Sequence, residues 1–259
     1  MKNSKIEWCD HTVNFWWGCS EVSAACRNCY ARTISKRFGK DCWGKKPRIF
    51  RLEKAAAECL NLNDSANRRG VVETVFVNSM SDFFDVDVAP EIRIALWRLF
   101  VNCENLRFMV LTKRANVMAN HIDLYADKIP PNVHFGITAE NQKCLNERMA
   151  VLEKFGRKVF LSCEPLLEEI DISSYLDKID WVICGGETGR NARYFNPMWA
   201  QNIFEQIRKC GRYPRERASA VPFFFKKFGD NKANVKTGEE WHVLTVREYP
   251  QWHSKGGVE

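Results

Sequence analysis

Six times between residues 71 and 225 the chain repeats one device: a short, unbroken apolar run stops at polar residues and gives way to helical spacing. The runs are 71–77, 108–111, 133–137, 159–161, 181–184 and 221–225. Continuous rather than alternating apolar runs suit strands buried on both faces, hence a parallel sheet covered by helices. Right-handed crossovers curl such a sheet into a full or partial barrel. With a β-branched and aromatic stretch at 12–17 the count reaches six or seven units, short of a closed eightfold barrel. The expected class is α/β, a partial (β/α) barrel of about six parallel strands, with a doubly wound open sheet as the alternative.

The helices between the runs carry their own signals. Over 90–103, Pro90 suits the opening turn and Ile92, Leu96, Leu99 and Cys103 share one face. Over 197–210, Pro197 opens the segment, Trp199, Ile203, Ile207 and Cys210 form a stripe, and Gly211 closes it. Segments 114–122, 140–155 and 166–176 are expected to be helical, as are 29–38, ended by Gly39, and 51–62, followed by a polar loop over 63–70. A turn-rich region at 229–238 precedes a strand or hairpin arm at 241–249. Residues 1–228 are expected to form one domain, with 229–259 as a C-terminal extension packed on it.

In parallel α/β folds the C-terminal strand ends and the loops beyond them build the active site. The residues that follow the runs here include the carboxylates Asp82, Glu140, Glu164 and Glu187, the cations Lys113, Arg114 and Lys226, and the pair Gly185-Gly186. Most of the carboxylates are expected to face one pocket, although Thr138 or Asn141 equally suits a helix cap. Arg190 and Arg193 offer a basic pair for an anionic group.

Of eleven cysteines, Cys19, Cys26 and Cys29 fall within eleven positions and the others lie singly. The N-terminus carries no apolar signal segment and no run reaches the ~18 apolar residues of a membrane span, so a soluble, cytoplasmic chain with no membrane partner is expected. Clustered thiols in a reducing compartment suit metal ligation better than disulfides. Zinc commonly takes two close cysteine pairs. No second Cys-x2-Cys exists here, and Cys9 and His11 are the nearby fourth ligands. A 4Fe–4S cluster on three thiolates would keep one iron open. The formal charge of +7, which reads as a modest excess spread along the chain, and nine tryptophans permit a nucleic-acid partner.

Three cysteines in a loop after the first strand of a partial barrel is the arrangement of radical S-adenosylmethionine (SAM) enzymes, which this chain resembles. It is more closely similar to an uncharacterised phage and bacterial family regarded as radical-SAM-like. The likeness runs through Lys5-Ile6-Glu7-Trp8, Gly18-Cys19-x-x-Val22-Ser23-x-x-Cys26-x-Asn28-Cys29-Tyr30-Ala31 and Asn78-Ser79-Met80-Ser81-Asp82. It continues through Thr112-Lys113-Arg114, Ser162-Cys163-Glu164-Pro165-Leu166-Leu167, Gly185-Gly186-Glu187 and Pro222-Phe223-Phe224-Phe225-Lys226. The common radical SAM gap of three between the first cysteines is six here, Asn28 stands where an aromatic residue is usual, and Gly-Gly-Glu comes late in the chain. The family mostly carries threonine at the position of Cys9.

The resemblance implies a 4Fe–4S cluster on Cys19, Cys26 and Cys29, SAM on the open iron, and an external electron donor. Reductive cleavage of SAM would then modify or repair a substrate, which the phage setting suggests is a nucleic-acid base or nucleotide. Under this resemblance Glu187 and Lys113 are the catalytic candidates. Tyr30, Asn78, Asp82, Glu140, Glu164, Gly185 and Gly186 are the candidates for binding SAM. The alternative is a nucleic-acid-binding protein whose N-terminal loop is stapled by zinc or a non-catalytic cluster.

Overall fold

The computed structural model describes residues 3–152, 156–210, 221–231, 233 and 242–256. In chain order the elements are β1 (His11–Val13), β2 (Trp16–Trp17), α1 (Tyr30–Arg37), β3 (Ile49–Phe50), α2 (Leu52–Arg69), β4 (Glu73–Val77), α3 (Pro90–Val101) and β5 (Leu106–Thr112). Then follow α4 (Ala115–Tyr125), β6 (Val133–Thr138), α5 (Gln142–Ala150), β7 (Val159–Cys163), β8 (Ile179–Gly185), α6 (Pro197–Cys210) and β9 (Phe223–Lys227). The sheet order is β1-β4-β5-β6-β7-β8-β9, with β2 and β3 forming a separate antiparallel pair.

The chain divides into two compact units. The first comprises Met1–Val22, Cys29–Gly136 and Gln251–Glu259, the second Ser23–Asn28 and Ile137–Pro250. In the first, β4 runs parallel to both β1 and β5, with Val77 opposite Val13 and Val110. Its core is aromatic: Phe83, Trp97, Phe100 and Phe108 are all buried, and the Phe100 and Phe108 rings stack at 3.9 Å. In the second, β8 runs parallel to β7 and β9. All of β7 and Trp181–Gly185 of β8 are buried, which is why these runs do not alternate.

Each of the six apolar runs becomes a strand, and the parallel α/β class stands, with seven strands in the main sheet. Several expected boundaries shift. The stretch 12–17 breaks at Asn14, whose side-chain oxygen accepts from Met80 N at 2.7 Å, so the chain leaves β1 and pairs β2 elsewhere. Residues 63–69, expected as loop, continue α2 because Ala55, Cys59, Leu62 and Ala66 extend one buried stripe beneath polar neighbours. Gly70, at φ +64°, ends it.

Residues 166–176 form no α-helix, because their amides serve other segments. Leu166 donates to the Gly185 carbonyl, Leu167 to that of Glu140, and Asp171 and Ile172 to the side chains of Gln142 and Gln206. Only a 3-10 stretch, Ser173–Lys178, follows. The expected arm at 241–249 is a 3-10 turn, His242–Thr245, followed by an antiparallel bridge between Arg247 and Phe224. Residues 153–155, Gly211, Trp241 and most of 229–238 lie outside the described residues.

Candidate functional site

In the first unit the ends of β4 and β5 build a buried polar network around Asp82. Its carboxylate accepts from Thr112 Oγ1 at 2.6 Å, Lys113 N at 3.1 Å, Phe84 N at 2.9 Å and Arg114 Nη1 at 3.1 Å. Arg114 also donates to Cys19 Sγ at 3.4 Å and to the carbonyl and hydroxyl of Ser20 at 2.9 and 2.8 Å. Burial, and secondarily Asp82, pushes the Cys19 thiol up to about 12, against the pull of Arg114. For Arg114 burial works to lower the pKa, but Asp82 and Cys19 outweigh it and the guanidinium titrates above its usual range. The Lys113 ammonium has no ion partner among the described residues.

Asn78, buried at φ +63°, is occupied in holding the chain: its side-chain oxygen accepts from Phe15 N at 2.9 Å. Tyr30 opens α1, is 41 % exposed, and anchors its hydroxyl on the Ser79 carbonyl at 2.8 Å. Gly18 is required by a close approach of chains, since a Cβ there would lie 2.1 Å from the Cys42 carbonyl oxygen.

In the second unit Cys26 ends a short 3-10 turn, Ala24–Cys26, and its amide donates to Ser23 O at 3.0 Å. Glu187, at the end of β8, ties this turn down. Its carboxylate accepts from Asn28 Nδ2 at 2.9 Å and from Arg193 N and Nε, both at 2.9 Å, while Arg193 Nη2 donates to Ala24 O at 3.0 Å. Burial would raise the Glu187 pKa, but these donors outweigh it and hold the carboxyl below its usual range. Arg193, expected to meet an exogenous anion, is spent on Glu187.

The other two carboxylates of this unit are paired as well, Glu140 with Arg148 at 2.6 Å and Glu164 with Lys226 at 2.5 Å. Gly185 and Gly186 admit the neighbouring strand: a Cβ on Gly186 would lie 1.9 Å from the Phe228 carbonyl oxygen. The sequence reading named the four strand-end carboxylates, and the structure gives each a cation of its own unit. Arg114 stood among the expected strand-end cations, but Ser20 and Asn28 were not expected at the site. The signal for Arg114 was its place after Lys113 at a strand end, whereas nothing local marks Asn28, whose partner lies 159 positions away.

All three clustered cysteines are free thiols of intermediate exposure. Among the described residues no group of three or more His, Cys, Asp or Glu is gathered as a metal site, and Cys19 and Cys29 belong to the first unit while Cys26 belongs to the second. Their donor chemistry fits an iron–sulfur cluster: soft sulfur ligands, reachable from solvent, with a fixed guanidinium beside one of them. No described helix is long and apolar enough to cross a membrane.

Solved structures of spore photoproduct lyase are similar in fold. One variant matches with a TM-score of 0.55 at 13% identity, covering 87% of this chain and 78% of that one. A variant with bound AdoMet and dinucleoside spore photoproduct matches with a TM-score of 0.55 at 12% identity over the same shares. At this identity the likeness shows the fold alone, the α/β partial barrel of the radical SAM type. No curated protein matches the sequence. The model of the family DUF5131, described as a protein of unknown function, matches residues 3–250, and this chain belongs to that family.

Proposed function

We propose that this protein is a radical SAM enzyme that modifies or repairs a nucleic-acid base or nucleotide. The observation that most supports this reading is Cys19, a partly exposed free thiol held by Arg114, in a fold shared with an enzyme solved with AdoMet and a dinucleoside lesion. A 4Fe–4S cluster on Cys19, Cys26 and Cys29 would supply an open iron and the electron for reductive cleavage of SAM, with an external donor as its source.

The chain's own residues have definite tasks in this reading. The Arg114 guanidinium, fixed by Asp82 and Ser20, offsets the negative charge Cys19 takes on when it loses its proton to bind metal. Lys113, a cation without an ion partner among the described residues, meets the SAM carboxylate or a substrate phosphate. Tyr30, with its hydroxyl anchored, offers a ring face for adenine. Glu187 positions the Cys26 turn, and the paired Glu140 and Glu164 stiffen the ends of β6 and β7.

Anaerobic purification and reconstitution test the proposal. The expected product is a brown protein with about four irons and four sulfides per chain. It should be reducible by dithionite and should release 5′-deoxyadenosine from SAM. A colourless protein with one tightly held zinc and no SAM cleavage would instead match a metal-stapled nucleic-acid-binding protein. Cys26→Ala is expected to abolish iron binding while leaving the circular dichroism spectrum unchanged. Full iron content in that variant overturns the ligand assignment.

A further inference from the structure

The charge of this chain is not evenly distributed. Residues 30–51 hold eight of the 39 lysines and arginines and one of the 32 acids, so this stretch alone accounts for the net +7 and the remainder is neutral. The structure separates these cations into two kinds. Arg48 is buried and internal: it pairs with Asp85 and Asp87 and donates to the carbonyls of Cys42, Gly44 and Lys46 at 3.4, 3.0 and 2.8 Å. Arg32, Lys46 and Arg51 pair with Glu21, Asp41 and Glu58. Lys36, Arg37, Lys40 and Lys45 have no acidic partner among the described residues.

Three of these cations lie beside an aromatic platform, and Lys45 follows in the same loop. Lys36 and Arg37 form the last turn of α1, directly before Phe38, which is 68 % exposed. Phe38 sets its ring edge-on to half-buried Trp17 at 6.0 Å, and Lys40 Nζ lies 4.4 Å from the Trp17 ring centroid. The loop is pinned in this shape by the Arg48 bonds, and by Lys40 N donating to Ser35 O while Ser35 Oγ donates to Lys40 O, both at 3.0 Å. Cations at a helix C-terminus oppose the helix dipole, which accounts for Lys36 and Arg37 but not for Lys40, Lys45 or the uncovered ring.

We infer that this face, built on Trp17, Phe38, Lys36, Arg37, Lys40 and Lys45, binds single-stranded nucleic acid. Unstacked bases find an aromatic face there while the cations meet the flanking phosphates. A membrane-surface helix would need a broad apolar face. The exposed residues of α1 are Tyr30, Thr33, Lys36 and Arg37, and Phe38 stands alone after them. Trp17 is two residues from Cys19, and Gly44 N donates to the Cys19 carbonyl at 2.9 Å, so a bound strand would run beside the cysteine loop. The purpose of the surface rests on the function proposed above, but its binding requires neither iron nor SAM.

The test is fluorescence anisotropy of a labelled 20-nucleotide single-stranded DNA with the full chain and no SAM. Four phosphate contacts predict that affinity falls about 50-fold between 50 and 200 mM salt. Replacing Lys36, Arg37, Lys40 and Lys45 together by alanine is expected to weaken binding more than about tenfold at 50 mM salt and to remove most of the salt dependence. Phe38→Ala should weaken it at least about fivefold with the salt slope kept. Lys36→Ala with Arg37→Ala, used if the quadruple variant misfolds, should remove about half of the slope.

The exposed control pair Lys143→Ala with Lys209→Ala should bind like the parent chain. Absent binding, unchanged binding by the quadruple variant, or equal loss in the control overturns the inference. So does tighter binding to phosphatidylserine vesicles through the same four residues. A negative result here with intact SAM cleavage removes the surface and leaves the chemistry. Binding without SAM cleavage does the reverse.

Discussion

At the residue scale, ion pairing decides what the strand-end side chains can do. Asp82, Glu140, Glu164 and Glu187 are the residue types an active site needs, and their placement after apolar runs was legible in the sequence. Their partners were not, because a pair such as Glu187 and Asn28 forms only when segments 159 positions apart are brought together. Glu187 is the sharpest case: a catalytic candidate under the resemblance, it also ties down residues 24–28, through Asn28 and through Arg193. Glu187→Gln removes a charge-assisted interaction, a loss of about 2 kcal/mol, which predicts roughly 30-fold faster hydrogen exchange at the Cys26 amide. Exchange at the β8 amides should not change, and an unchanged Cys26 amide would deny Glu187 this role.

At the element scale, apolar patterning predicted strands better than helices. A buried strand in a parallel sheet needs only a continuous apolar run, and β4, β7 and β8 have one. Helix α2 was legible only in part, because Asn63, Asp64 and Asn67 conceal a stripe that continues at Leu62 and Ala66. The segment 166–176 has helical composition, yet its amides are taken by distant carbonyls and side chains, a competition invisible to local reading. Gly185-Gly186 is a packing requirement of β8 against the chain after β9. With a Cβ 1.9 Å from the Phe228 oxygen, Gly186→Ala forces the backbone to move. The expected cost is about 3 kcal/mol, read as a lower urea midpoint with an unchanged slope. Gly189→Ala, where no atom lies within 4 Å of the added Cβ, should pay only the milder penalty of its left-handed backbone.

At the scale of the whole molecule, two buried histidines tie stability to pH. His121 accepts from Trp97 Nε1 at 3.0 Å, and burial, with Arg93 nearby, lowers its pKa to about 4. His253 is likewise lowered to about 4, mainly by burial. Unfolded, each titrates near 6.5, so the unfolded chain binds more protons between these values and stability falls as pH drops from 6.5 toward 4. Between pH 7.5 and 5 the loss is about 2 kcal/mol per histidine, measurable by urea unfolding at the two pH values. His121→Gln should cancel its share of that pH dependence. The sequence by itself determined the parallel α/β class, the strand positions and the three-thiol loop, because apolar run length, strand-ending polar residues and cysteine spacing are local properties. Only the tertiary structure decided that Arg114 pairs with Asp82 and holds Cys19, that Lys226 pairs with Glu164, and that Lys40 and the exposed Phe38 ring meet Trp17. Those are pairings across long sequence separations, fixed by how the strands and loops pack rather than by any stretch of chain alone.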